Sequence, residues 1–260
     1  MESLLIRLIK RILDISNSIV PKRGLYNLLS RYVLQDNKIR HFLPSIIYSK
    51  DDFQTTPELV QLLADSSKLA SQRILSCGKN NLPDSKFLNV FPGEHYRLLN
   101  SIVETFDAKK AVEIGTWTGM GSLSLKEGFN DVEVTTYDII KWDQLNVTSH
   151  FVSKDFDESL KQVIGDLSDD KFFESNLEIL NDADLIFMDA PKDNIFEYKM
   201  AKQFKKLKNK NKKILIIDDI LFINMIDFWR NIKSPKLDAS SFGHWSGTGI
   251  VDISNGFLYD

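Results

Sequence analysis

From Phe91 onward, short apolar runs alternate with longer stretches of helical periodicity, and no other feature of this 260-residue chain restricts its fold as much. Strands are predicted at Ala111–Ile114, Val132–Tyr137, Gln162–Ile164, Leu185–Met188 and Ile214–Ile217. Helices are predicted between them, at Glu94–Phe106, Gly121–Glu127, Asp170–Leu180 and Glu197–Leu207. Alternation of this kind buries a parallel sheet beneath helices on both faces. The expected fold is therefore α/β, a doubly wound Rossmann-like sheet. Gly249–Ile253, the pair Asn255-Gly256 and Phe257–Tyr259 read as a hairpin, because Asn-Gly suits a primed two-residue turn. The sheet is expected to be mostly parallel, closed by that C-terminal antiparallel hairpin.

Residues 1–85 follow another pattern, and the chain divides on this reading into a helical extension, 1–85, and a sheet domain, 86–260. Leu4, Leu5, Leu8, Ile12, Ile15 and Ile19 recur at helical spacing, with Arg7, Lys10, Arg11 and Asp14 on the opposite face. Such a helix packs on the main domain or on a second subunit of a homodimer, or lies peripherally on a membrane surface. A second helix is predicted at Glu58–Leu75, after the cap and first-turn signal Thr56-Pro57. Cys77, Gly78, Asn80, Asn81 and Pro83 make a turn-rich joint.

Composition excludes several classes. Apolar residues make 43% and charged residues 27%, too apolar for a disordered chain. Lys plus Arg total 33 against 36 for Asp plus Glu, so the net charge of -3 gives no reason to expect nucleic acid as a partner. The single cysteine, Cys77, cannot form an internal disulfide, which fits a reducing, cytoplasmic location. Charges interrupt every apolar stretch near the N-terminus, and no run of about 18 uncharged apolar residues occurs that would span a bilayer. Seven lysines within residues 202–213 read as a solvated helix end.

In an open parallel sheet, ligands bind beyond the carboxyl ends of the strands where strand order reverses. In this chain those positions are acidic. The first strand enters Glu113-Ile114-Gly115-Thr116-Trp117-Thr118-Gly119-Met120-Gly121, whose glycines allow a tight turn and close ligand approach. Their spacing is not the GxGxxG of dinucleotide-binding proteins, which counts against a nicotinamide-dependent oxidoreductase. A non-catalytic interaction module on a similar fold is the other rival.

The run from Val112 to Gly119 resembles motif I of class I S-adenosylmethionine-dependent methyltransferases. More narrowly, it is similar to the metal-dependent family of catechol and caffeoyl-coenzyme A O-methyltransferases. Asn89-Val90-Phe91-Pro92-Gly93-Glu94 resembles the family segment that covers the methionine end of the cofactor. Asp138 matches the acid on the ribose hydroxyls, and Gly165-Asp166 matches the adenine-side segment. Asp184–Asn194 and Ile216–Asp219 resemble the segments that supply a metal-binding Asp, a catalytic Lys and a second acidic pair. The resemblance covers roughly residues 87–225 and implies methyl transfer from S-adenosylmethionine to a hydroxyl of a small diol- or catechol-like acceptor. The residues it implicates in the cofactor site are Asn89, Val90, Glu113, Gly115, Thr116, Trp117, Gly119, Ser122, Asp138, Gly165, Asp166 and Asp189. Asp189, Asp218 and Asp219 are implied metal ligands, and Lys192 the catalytic base.

Simple geometry points the same way. Neighbouring strands lie about 4.8 Å apart, so acids ending the fourth and fifth strands, Asp189 and Asp218, share a crevice and need a cation. Oxygen donors without a nearby Cys or His cluster in sequence favour Mg2+ or a similar hard dication. Lys192, three residues beyond Asp189, is placed to take a hydroxyl proton. Alternatively, Asp189, Asp218 and Asp219 act only as caps after strands.

Three features depart from the family pattern. Asp219 stands where members usually carry Asn, and Gly121 where many have Ser, so a hydroxyl contact is lost or moves to Ser122. The Ser241–Gly249 loop does not match the usual ending; His244 in it is a second candidate base, or part of a plain turn, and the loop shapes an acceptor pocket on the functional reading. Trp117 either stacks near the cofactor or packs. His41, His95 and His150 lack ligand-like spacing and receive no role.

Overall fold

The structure, a computed structural model, describes residues 55–208 and 212–260. The amphipathic helix expected within Met1–Val20 lies outside the described residues. The first described helix, α1 (Pro57–Gln72), begins where Thr56 Oγ1 accepts from Leu59 N–H at 3.3 Å, with Pro57 in the first turn. It ends before the expected Leu75, at Arg73, whose guanidinium is drawn to Asn100 and Glu104 of α2 (Tyr96–Thr105). A Ser66–Thr105 hydroxyl pair at 2.6 Å joins the two helices lower down.

Seven strands follow: β1 (Lys110–Ile114), β2 (Glu133–Asp138), β3 (Leu160–Ile164), β4 (Leu185–Met188), β5 (Ile214–Asp218), β6 (Lys236–Asp238) and β7 (Thr248–Asp252). They form one sheet in the order β3-β2-β1-β4-β5-β7-β6, parallel from β3 to β5 and antiparallel at β7 and β6. Strand order reverses between β1 and β4, the expected ligand position of a doubly wound sheet. Period-two alternation sends Leu185 and Phe187 to one buried face, with Leu98, Leu99, Ile102 and Ile216, and Ile186 and Met188 to the other, with Phe173, Phe204, Ile217 and Phe228. Both faces are therefore packed, as continuous apolar strands require.

Four expectations need correction. The helix predicted at Asp170–Leu180 is two, α4 (Asp170–Ser175) and α5 (Leu177–Asp182), following α3 (Met120–Lys126). Asn176 breaks it, because its side-chain amide donates back to Phe172 O and its oxygen accepts from Tyr137 Oη. After α6 (Ile195–Phe204), an unpredicted helix, α7 (Ile223–Asn231), buries Met225, Phe228 and Trp229. β7 pairs antiparallel with β5 and, on its outer side, with β6 rather than with Phe257–Tyr259. Gly256 N–H closes a turn on Ile253 O as expected of Asn-Gly, but Phe257 and Tyr259 then fill core positions beside Phe204 and Phe228. Finally, Lys213, the last of the lysine run, is buried, its Nζ donating to the Leu180 and Asn181 carbonyls at the end of α5. It caps a helix C-terminus instead of facing water.

Candidate functional site

Gly115 follows β1 with φ 101°, and its N–H donates to Tyr137 O at 2.9 Å. A Cβ here would overlap the Asp189 carbonyl, so only glycine lets the ends of β1 and β4 lie this close. The next two N–H groups, of Thr116 and Trp117, both donate to Asp138 Oδ2 at 3.0 Å, and Ile140 N–H donates to Oδ1. Asp138 thus clamps the turn after β1, and of its roughly four acceptor positions about one remains free.

Beside this turn lies a cavity of about 570 Å³. Gly115, Trp117, Asp138, Gly165, Asp166, Asp189 and Lys192 line it, bringing seven of the predicted site residues together. Trp117, Ile139 and Ile140 stand exposed at its wall. The remaining predicted cofactor residues lie elsewhere. Asn89 is spent on Leu75, accepting from its N–H and donating to its carbonyl, and Val90 faces outward. Thr116 pairs its hydroxyl with that of Thr136 at 2.7 Å, and Gly119 opens α3 in the left-handed region. Glu113 is buried beneath the turn, accepting from Ser122 Oγ and Thr136 Oγ1. Burial pushes its carboxyl up to about 8 against the effect of those two hydroxyls. A Cβ on Gly121 would strike Glu113, which explains glycine at that position; Ser122 turns inward to Glu113 and does not replace a hydroxyl there.

At the other end of the cavity stands an ionic cluster. Register places Met188 opposite Ile217, so Asp189 and Asp218 leave adjacent strand ends side by side. Lys192 bridges Asp189 and Asp219, with Nζ 2.9 Å from Asp219 Oδ2. Burial opposes charge on Lys192, but Asp189 and then Asp219 outweigh it and hold the ammonium above the usual lysine range. Asp219 adopts φ 62°, a left-handed conformation that Asn and Asp tolerate better than most residues. Backbone geometry therefore favours Gly, Asn or Asp at this position over other residues.

Expectation and structure differ most over histidine. Asp218 faces His95 Nδ1 at 3.3 Å and His244 Nδ1 at 3.2 Å, so the crevice holds nitrogen donors that no sequence spacing announced. Gly93 joins the two loops: its N–H donates to Gly243 O and its carbonyl accepts from Trp245 N–H, flanking His244. His244 also contacts Asp219 Oδ1 at 3.4 Å and, through Nε2, Glu94 Oε2 at 3.4 Å. Burial alone would lower His244; hydrogen bonding to Asp218 and Asp219, with Glu94 nearby, raises it to about 10. Burial likewise works against an ionised Asp218, but His95 and His244 hold its carboxyl below the usual range. Ser246 Oγ donates to Asp219 and completes the ring of contacts. His95 and the exposed Phe222 were not legible as site residues, whereas Glu94 lay in the Asn89–Glu94 segment and Ser246 and Trp245, whose ring lies 6.3 Å from that of Phe222, lay in the Ser241–Gly249 loop.

Residues 81–228, more than half of the chain, match a family model described as O-methyltransferase. The chain belongs to the O-methyltransferase family. No curated protein sequence matches it. Solved O-methyltransferase-like structures resemble it at low identity. One is a Staphylococcus aureus chain assigned as a caffeoyl-CoA O-methyltransferase (18% identity, covering 60% of this chain and 81% of that one, TM-score 0.44). Another is a Podospora anserina methyltransferase bound to S-adenosylhomocysteine (16%, 93% and 98%, TM-score 0.44). A third is TomG from Streptomyces achromogenes, an O-methyltransferase of tomaymycin synthesis in complex with S-adenosylmethionine (15%, 77% and 90%, TM-score 0.42). At these values the assignment rests on the family match. Among the described residues no helix is long and apolar enough to cross a membrane.

Proposed function

We propose that the protein moves a methyl group from S-adenosylmethionine to a hydroxyl of a small diol- or catechol-like acceptor, assisted by a divalent cation. The observation that carries this reading is that one cavity has Asp138, Gly165 and Asp166 at one end and Asp189 and Lys192 at the other. Its size is typical of a small-molecule site, and its exposed apolar wall of Trp117, Ile139 and Ile140 suits a planar base. Asp138 keeps about one acceptor position for a ribose hydroxyl, and Gly165 brings backbone close to the same end. When bound, S-adenosylmethionine supplies an electrophilic methyl group. Asp189, Asp218 and Asp219 would hold a dication, whose charge would lower the pKa of a hydroxyl next to it.

The rest is the work of this chain's own side chains. Lys192 Nζ is the group positioned to hold the acceptor proton, and it does so as a base only when Asp189 and Asp219 no longer need its charge. Phe222 and Trp245, exposed beside His244, favour an aromatic acceptor over a sugar diol. We read residues 86–260 as the transferase domain and residues 1–85 as an extension for packing, dimerisation or peripheral membrane contact, in a cytoplasmic protein.

The test is transfer of labelled methyl from S-adenosylmethionine across a panel of catechols, simple phenols and sugar diols, with and without added dication. Transfer to catechols is expected. A calorimetric titration that finds NADPH bound and S-adenosylmethionine not bound would overturn the reading in favour of the oxidoreductase. Cofactor binding without transfer to any of these acceptors would leave the non-catalytic module.

A further inference from the structure

We propose that His95, Asp218 and His244 form a binding site for a first-row transition-metal dication, so that the cation of this site is one of the Mn2+ to Zn2+ series and not Mg2+. Three observations carry this. The first is spacing. Asp218 Oδ1 lies 3.3 Å from His95 Nδ1 and 3.2 Å from His244 Nδ1, and one donor atom from each residue falls within 4.8 Å of the others. At metal–ligand bonds of about 2.0–2.2 Å, neighbouring vertices of an octahedron or tetrahedron are about 2.8–3.6 Å apart. The two measured edges fall inside that interval.

The second observation is the state of His95. It is 2% exposed, set against Tyr96 and Phe187, and neither ring nitrogen makes a hydrogen bond. Buried side-chain nitrogens are almost always partnered, so a histidine whose Nδ1 has only the Asp218 carboxylate at 3.3 Å and whose Nε2 has no partner is built for a further ligand. The third is the support around His244. Its Nε2 faces Glu94 Oε2 at 3.4 Å while Nδ1 faces Asp218. An imidazole that binds metal through one nitrogen and offers the other to a carboxylate is the usual second-layer arrangement around such ions.

Ligand chemistry then selects the ion. Mg2+ favours all-oxygen sites with several retained waters, whereas imidazole suits Fe2+, Ni2+, Cu2+ and Zn2+, and affinity for a nitrogen-containing site rises along the first row from Mn2+. Two imidazoles and one carboxylate leave open positions, toward which Asp189 and Asp219 lie, since both also come within 4.8 Å of Asp218 donors. Asp218 belongs to both donor groups, and the proposal places the ion on the side of Asp218 that faces the two imidazoles. The proposal refines the cation-assisted reading above and assigns His244 to metal binding instead of proton transfer.

The experiment uses the full chain, stripped with a chelator and titrated by calorimetry with Mg2+, Mn2+, Co2+ and Zn2+. Co2+ is expected to bind at least about 100-fold more tightly than Mg2+ and to give a visible absorption band of a nitrogen-containing site. His95→Gln and His244→Gln should each weaken Co2+ binding by about 100-fold or more, with circular dichroism checking that each variant folds. Pulsed electron paramagnetic resonance of the Mn2+-loaded parent protein needs no variant: coupling to two imidazole nitrogens is expected. Absence of nitrogen coupling, or Mg2+ binding equal to Co2+ and unmoved by either histidine variant, overturns the proposal while leaving methyl transfer intact. Methyl transfer is measured separately, and its absence alongside a nitrogen-bound ion overturns the transferase reading instead.

Discussion

Glu113→Gln isolates the cost of a buried acid beneath the glycine turn. The glutamate is 1% exposed and accepts from Ser122 and Thr136, and burial raises its pKa from an ordinary 4.5 to about 8. Because the folded pKa lies above the unfolded one, the native state binds the extra proton between those values. Its contribution is therefore full below about pH 4.5 and is lost as pH rises toward 8. At about 1.4 kcal/mol per pH unit, the whole window is worth on the order of 5 kcal/mol. Glutamine keeps an oxygen acceptor and has no charge to desolvate. Urea denaturation of parent and variant from pH 5 to pH 9 is the assay. The variant should gain stability relative to the parent steadily up to about pH 8 and level off beyond it. A difference that does not change with pH would refute the argument, since it would mean that Glu113 ionises in the fold as readily as in the unfolded chain.

Asp138→Ala should weaken S-adenosylmethionine binding by about 10–100-fold in calorimetry, because three backbone N–H groups and a ribose hydroxyl lose one acceptor; unchanged affinity would remove Asp138 from the site. Lys192→Met should cut methyl transfer by about 100-fold or more while leaving cofactor affinity within a few-fold, measured by single-turnover transfer and by titration. Asp219→Asn should fold normally and keep most of its activity at neutral pH, because asparagine tolerates φ 62° and retains an oxygen for Ser246; a loss as severe as that of Asp218→Asn in the same transfer assay would make the second carboxylate indispensable.

Most of the sheet was legible because its information is local. Leu185–Met188 and Ile214–Ile217 are unbroken apolar runs bounded by polar residues, and such runs between helices leave few alternatives. Elements whose identity depends on a distant partner were not. The three residues of β6 become a strand only because β7 offers an edge, and Phe257–Tyr259 loses that edge to them. That Gly115, Asp138 and Gly165-Asp166 would share one cavity was readable because each follows a strand directly. Residue identity alone could not separate Glu113 and Ser122, which face into the protein, from Trp117, which faces the cavity. His95 stayed hidden for the same reason. It is a lone histidine at the start of a helix, and its partners Asp218 and His244 are more than 120 positions away in the chain.

The hydrogen bonds joining Gly93 to Gly243 and Trp245 also set a timetable for the chain as it leaves the ribosome. The glycine turn, Asp138, Asp189 and Lys192 all emerge before β5. Neither His244 nor its tether to residue 93 exists until some 150 residues after Gly93 have been made, and β6 has no neighbour in the sheet until β7 slots between it and β5. Contacts of such long sequence separation form late. A nascent chain can thus hold most of the walls of the cavity while Asp218, already at its strand end, has His95 but not yet His244 beside it. The last strand to arrive is the one that turns a binding fold into a finished cluster.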